Sequence, residues 1–119
     1  MAQAGQFINI KAEGFMLRRP ISIAGIDKNK GTLRIIFEVR GKGTKELSQI
    51  PEGSMIDIVA PLGGRGFDLE LGKKAVIIGG GIGNPPMLPI AEHYGKNAVV
   101  ISGFRNASAV ILQKDFADT

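Results

Sequence analysis

The run Ala75–Pro86, AVIIGGGIGNPP, constrains this chain more than any other stretch. A short apolar segment containing β-branched Val76, Ile77 and Ile78 stops abruptly at three glycines; Ile82, Gly83, Asn84 and two prolines follow. Such a segment predicts a strand buried on both faces, as in a parallel sheet. Pro85 and Pro86 suit the opening of a helix, whose first positions need no backbone N–H. The intervening glycines let the backbone turn sharply and let a ligand approach closely. Strand, glycine loop and helix start together favour phosphate, so nucleotide binding is the first expectation. The alternative is an unliganded β–α turn, which the strand–turn–helix context disfavours. The spacing is not a strict G-x-G-x-x-G: counted from Gly79 or Gly81, the third glycine falls on Asn84 or Pro86. No G-K-[ST] follows, which excludes an NTP-hydrolysing phosphate loop.

The chain changes character around Asp68–Lys74. Ahead of it, short strands are expected at Gln6–Lys11 and Pro20–Ile26, with a polar turn at Asp27–Gly31. Thr32–Val39 alternates Leu33, Ile35, Phe37 and Val39 against Arg34 and Glu38, the clearest period-two pattern present. Gly41–Ile50 reads as a short helix with Thr44 as N-cap and Leu47 and Ile50 inward. Ser54–Ala60 reads as a further strand and Pro61–Gly66 as a loop. Behind it, strand (Ala75–Ile78), helix (about Pro86–Tyr94, ended by Gly95), strand (Ala98–Ser102) and helix (about Ala107–Ala117) alternate, the signal of a parallel α/β sheet. In the last helix Ala109, Leu112 and Phe116 are expected on one face. The expected domains are 1–71 and 72–119. A barrel of about four strands and a parallel sheet of two are both incomplete, and open edges invite pairing with another chain.

Composition removes several classes of function. No apolar run approaches the ~20 residues of a membrane helix, and MAQAGQFINIK lacks the pattern of a secretory signal; a cytoplasmic location is expected. With no cysteine, thiolate catalysis, disulfides and cysteine-ligated metal are excluded within these 119 residues. The net charge of +4 is spread over fifteen Lys and Arg without a basic run. Six Phe and Tyr94 do not alternate with basic residues as a base-stacking platform would, which argues against nucleic-acid binding. A single His93 near a helix end makes neither a metal site nor a Ser/His/Asp set.

Three further segments suit an anionic ligand, each beside a plainer reading. Leu17–Ser22 (LRRPIS) sets two guanidinium groups against a strand; period two allows one arginine to face a ligand, and a solvated turn is the alternative. Gly41–Thr44 (GKGT) offers amides and a hydroxyl, or simply caps a helix. Ser102–Asn106 (SGFRN) follows the second parallel strand, where ligands of open α/β sheets bind; Phe104 and Arg105 are expected beside Gly79–Gly83, and Asn106 reads equally as a cap.

In this order, LRRPISI, VRGKGTKEL, APLGGRGF, VIIGGGIGNPPM and ISGFRN, the chain resembles the ferredoxin-reductase-like flavoproteins. Among them it is most similar to the electron-transfer subunits of NAD-linked dihydroorotate dehydrogenases, from AGQFINI to LQKDFAD. The resemblance implies a partial antiparallel FAD-type β-barrel followed by the first β-α-β-α of a Rossmann-like domain, a mixed α+β and α/β fold. It implies that Arg19, Pro20, Ile21 and Ser22 form the flavin motif, with the arginine at the FAD pyrophosphate. Gly41, Gly43 and Thr44 would lie at the FAD phosphates. Gly79, Gly80, Gly81 and Gly83 would receive NAD, with Gly103, Phe104 and Arg105 on its adenosine side. It further implies electron transfer between NAD(H), FAD, a [2Fe–2S] cluster and a catalytic FMN-containing partner subunit, in pyrimidine biosynthesis.

The departures are specific. The earlier barrel strands, the second half of the NAD domain and the cluster cysteines of the family are absent, so the chain is expected to be a central excerpt unable to hold the cluster. Asn84 stands where the family usually has a small apolar residue; it either caps the helix or disturbs the close packing of the loop. Two readings result: a flavin and nicotinamide electron-transfer fragment, or a non-catalytic fragment that binds neither cofactor well and forms homo-oligomers through unpaired strands.

Overall fold

A strand needs a neighbour as well as an alternating sequence, and pairing decides where each element of this chain stops. The structure, a computed structural model, describes all residues from Met1 to Thr119. Four strands, β1 (Phe7–Ile10), β2 (Arg19–Asp27), β3 (Thr32–Ile35) and β4 (Ile58–Leu62), form an antiparallel sheet in the order β3-β2-β1-β4. Phe7 lies opposite Ser22 and Ile10 opposite Arg19, with Ile10 facing Ile58 on the other side. The β2–β3 turn is closed by the Asp27 carboxylate, which accepts from the Asn29 and Lys30 amides at 3.0 Å each. Helix α1 (Lys42–Ser48) buries Leu47 against Ile8, Ile10, Ile21 and Ile23, with Ile50 packed beside them.

The second sheet holds β5 (Ala75–Gly80) and β6 (Ala98–Gly103), parallel and in register from Ala75 opposite Ala98 to Gly80 opposite Gly103. A 3-10 turn at Pro85–Met87 leads into α2 (Leu88–Tyr94), with Pro89 in the tolerant first turn. Gly95 at φ 51° ends the helix. Ile77, Ile90, Ala91 and Ala4 form the core here.

Several expectations are corrected. The alternation at Thr32–Val39 is neither paired nor buried throughout: β3 ends at Ile35, the residue opposite Ile23, and Leu33 and Val39 of the expected inward face are exposed. Ser54–Asp57 has no partner strand, so β4 starts at Ile58 and runs through Pro61, inside the expected loop. Gly41, not Thr44, is the N-cap of α1. The last helix is broken: a 3-10 turn at Ala107–Ala109 is followed by Leu112 at φ 63°, and α3 covers only Gln113–Ala117. Ala109 is therefore exposed and not on a shared face with Phe116, which packs on the second core. Strand β5 is buried on one face only. Val76 and Ile78 are 67% and 70% exposed and stand opposite Val99 and Ile101, at 59% and 52%.

Arg34 of β3 reaches the end of the chain, its guanidinium donating to the Asp115 carboxylate of α3 at 2.5 Å. That hydrogen bond holds the Asp115 carboxyl below the usual range. On α2, burial pushes the Glu92 carboxyl upward against the opposing pull of Arg34. No helix is long and apolar enough to cross a membrane.

Candidate functional site

The start of β2 separates its two arginines. Arg18 donates to the Asp57 carboxylate at 2.8 Å. Arg19 sits 5.1 Å from the centroid of the Phe15 ring, a cation–π distance, and donates to the Leu17 carbonyl. Of the two, Arg19 borders the smaller cavity described below and Arg18 does not. The Arg19 guanidinium covers Gly43: a Cβ placed there would lie 2.5 Å from Nη2 and 2.7 Å from Cζ. The guanidinium can occupy this position only because Gly43 has no side chain.

Arg19, Pro20, Ile21, Ser22 and Thr44 line one cavity of about 320 Å³. The Thr44 hydroxyl is turned onto its own loop, accepting from the Arg40 and Gly41 amides at 2.9 and 3.1 Å. It organises the loop that carries Gly41, which does not itself line the cavity. Gly81, Ile82, Phe104, Arg105 and Asn106 line a second cavity of about 550 Å³. Gly81 has φ 50° and opens a 3-10 turn, Gly81–Gly83, after β5. Gly79, Gly80, Gly83 and Gly103 do not line the cavity. Gly79 is buried beneath Asn84, and a Cβ there would lie 2.5 Å from Asn84 Oδ1. Asn84 does not cap the helix; its side chain turns back to the Gly81 and Gly103 carbonyls. Asn106 does cap, its Oδ1 accepting from the Ala109 amide at 3.1 Å.

The two cavities share a wall: Ile36, Phe37, Glu38, Arg40 and Ile82 border both. The arginine–serine segment and the glycine loop, about 60 residues apart in sequence, therefore border adjoining cavities. Both volumes fall within the ~300–1,000 Å³ of small-molecule sites. Glu38 and Arg40 pair with each other at 2.9 Å, whereas Arg19 and Arg105 carry no ion-pair partner. Each cavity thus has one cation without a carboxylate partner, a feature that suits an anionic ligand. The wall residues were not among the expected site residues, because Thr32–Val39 reads as an uninterrupted strand; the glycines of VRGKG are the only hint that the chain leaves the sheet there. A larger cavity, about 990 Å³, lies on the side of Gly25–Arg34 and Glu92–His93 and contains none of the expected residues.

An antiparallel sheet carrying R-P-I-S beside a parallel β–α–β unit with a glycine loop defines the class. It is the architecture of the FAD/NAD-binding, ferredoxin-reductase-like flavoproteins. An NADH-dependent reduced ferredoxin-NADP oxidoreductase superposes with a TM-score of 0.83 at 31% identity, over 97% of this chain and 43% of that one. The FAD/NAD-binding domain of a nitric oxide dioxygenase from Vibrio cholerae shares the fold, with a TM-score of 0.78 at 22% identity over 98% of this chain and 55% of the other. No protein-family model matches the chain.

The sequence relatives are narrower. The electron transfer subunit of dihydroorotate dehydrogenase B (NAD(+)) from Streptococcus mutans is 45% identical over 120 residues, 94% of this chain and 46% of the relative. That of Bacillus cereus strain B4264 is 39% identical over 127 residues, 99% of this chain and 49% of the relative. The chain is a homologue of these electron transfer subunits and spans about half their length.

Proposed function

We propose that this chain carries the adjoining FAD and NAD(H) half-sites of a flavoprotein electron transfer subunit, serving dihydroorotate oxidation in pyrimidine biosynthesis. The observation that carries this reading is the shared wall of Ile36, Phe37, Glu38, Arg40 and Ile82, which lies between the two cavities. The residues present fit the two nucleotides. Arg19 is seated by Phe15 and by the missing side chain of Gly43, so its fork would meet a pyrophosphate with little loss of rotamer freedom. Ser22 and Pro20, exposed on β2, would bound the flavin. Gly81, Phe104 and Arg105 would hold the nicotinamide dinucleotide, Arg105 by charge and Phe104 by its ring. When bound, the flavin supplies acceptance of two electrons and their passage singly; the protein holds the two nucleotides side by side and shields them from water.

The iron–sulfur cluster does not fit this chain, which has no cysteine. A cluster and the catalytic FMN subunit would belong to the rest of the assembly. The finer architecture, a partial FAD-type barrel at 1–71 and a Rossmann-like unit at 72–119, is part of the same proposal. The test is direct. Purified chain incubated with FAD and desalted should retain yellow absorbance, which should bleach on anaerobic addition of NADH. A colourless protein that leaves free FAD fluorescence unquenched refutes the reading.

One observation favours a second reading, a fragment that self-associates without cofactor. Val76, Ile78, Val99 and Ile101 leave one face of the parallel sheet apolar and open, a surface that a second copy would cover. This reading predicts an oligomer whose thermal stability rises with protein concentration.

A further inference from the structure

Asn84 and Gln6 are the polar side chains buried in this chain, and Asn84 is fully buried. Its Nδ2 donates to the Gly81 carbonyl at 2.9 Å and reaches the Gly103 carbonyl at 3.4 Å. Both acceptors are carbonyl oxygens, so the amide orientation is determined: only the nitrogen can face them. Its Oδ1 is buried against Gly79 with no donor. A small apolar residue would leave no orphaned oxygen, and buried polar groups without partners are costly. The helix does not use this side chain, since no cap bond is made to it. What the carboxamide does instead is join the turn after β5 to the last residue of β6. Those two points carry, directly or within two residues, four residues that line the larger cleft cavity: Gly81, Ile82, Phe104 and Arg105.

We propose that Asn84 is a positioning residue for the nucleotide cavity: its carboxamide sets the separation of Gly81 and Gly103 and so aims both loops at one ligand. The inference rests on the reading of that cavity as a nicotinamide dinucleotide site. Gly79 follows from it, because any side chain there would occupy the space of the Asn84 carboxamide. Asn84 itself touches no ligand.

An isosteric pair of variants isolates the donor. Asn84→Val removes it. Asn84→Thr has the same shape as the Val variant and restores one hydroxyl, able to bond the carbonyl three residues back, Gly81. The full chain is titrated with NADH by its fluorescence and with FAD by quenching, and amide hydrogen exchange is followed at residues 81–83 and 103–105. The expected results are about tenfold weaker NADH binding for Asn84→Val, about threefold for Asn84→Thr, unchanged FAD binding, and faster exchange in both loops together. A Val variant that binds NADH like the parent, or that loses NADH affinity with exchange unchanged at residues 81–83 and 103–105, overturns the positioning role alone. Loss of FAD binding in step with NADH binding also overturns it, since it marks a general structural defect. A parent chain that binds FAD but no NADH at millimolar concentration removes the nucleotide reading, and this proposal with it.

Discussion

Substituting Gly43 by alanine separates stability from cofactor affinity, because the added methyl meets a side chain and not the backbone. The Cβ would stand 2.5 Å from Arg19 Nη2 and 2.7 Å from Cζ. Contact between such atoms begins near ~3.5 Å, so the guanidinium must move by roughly 1 Å. Arg19 ends a flexible side chain in a half-open cavity and can yield. Gly43 occupies the second position of α1 with no left-handed backbone requirement, and alanine there gains up to ~1 kcal/mol of helix propensity. The fold should therefore hold or tighten. A displaced fork forfeits its paired, charge-assisted bonds to a pyrophosphate, about 1.5–3 kcal/mol. That corresponds to about a 10- to 150-fold rise in the FAD dissociation constant. Fluorescence titration with FAD, alongside thermal unfolding of the same samples, measures both effects. Arg19→Ala should weaken FAD comparably, and the double variant should be no worse than either single one, since both remove the same interaction. A folded Gly43→Ala protein with parental FAD affinity would refute the placement of Arg19 at the phosphates.

Ile23 is fully buried in the first core, so Ile23→Ala should cost about 2–5 kcal/mol in urea unfolding; a loss under ~1 kcal/mol would show that this core is not packed as described. The Arg34–Asp115 bond has side chains 50% and 32% exposed, which limits its worth to under ~1 kcal/mol. Because Asp115 titrates below its usual value when folded, its contribution is complete above the unfolded carboxyl value and is lost as pH falls through the lower, folded one. Asp115→Asn should accordingly lower the thermal midpoint slightly at neutral pH and leave it unchanged in strong acid; equal losses at both pH values would contradict the sign. Charging the open face with Val76→Lys and Ile78→Glu should leave circular dichroism intact and, if copies associate there, shift sedimentation toward the monomer. Variants as oligomeric as the parent would remove that face from the interface.

Local chemistry in the sequence is enough to place most elements. Apolar β-branched residues ending in GGGIG specify β5 and its turn, Gly95 ends α2, and Asp27 closes the first hairpin, because each acts on its own few residues through backbone freedom or a short hydrogen bond. Arg19 borders the smaller cavity while Arg18 pairs with Asp57, the two side chains diverging as neighbours along a strand do. The tertiary structure alone decided where strands stop, since a strand ends when its neighbour does: β3 breaks off at Ile35, and Ile36, Phe37, Glu38 and Arg40 become a wall between the two cavities. It alone turned the Thr44 hydroxyl onto its own loop, broke the last helix at Leu112 and left Val76 and Ile78 uncovered. Asn84 shows the same division. Its sequence neighbours suggest a helix cap, but its carboxamide goes to Gly103, nineteen residues away, because β5 and β6 lie parallel and bring their ends together. A contact of that kind is set by the register of two strands, which no local pattern encodes.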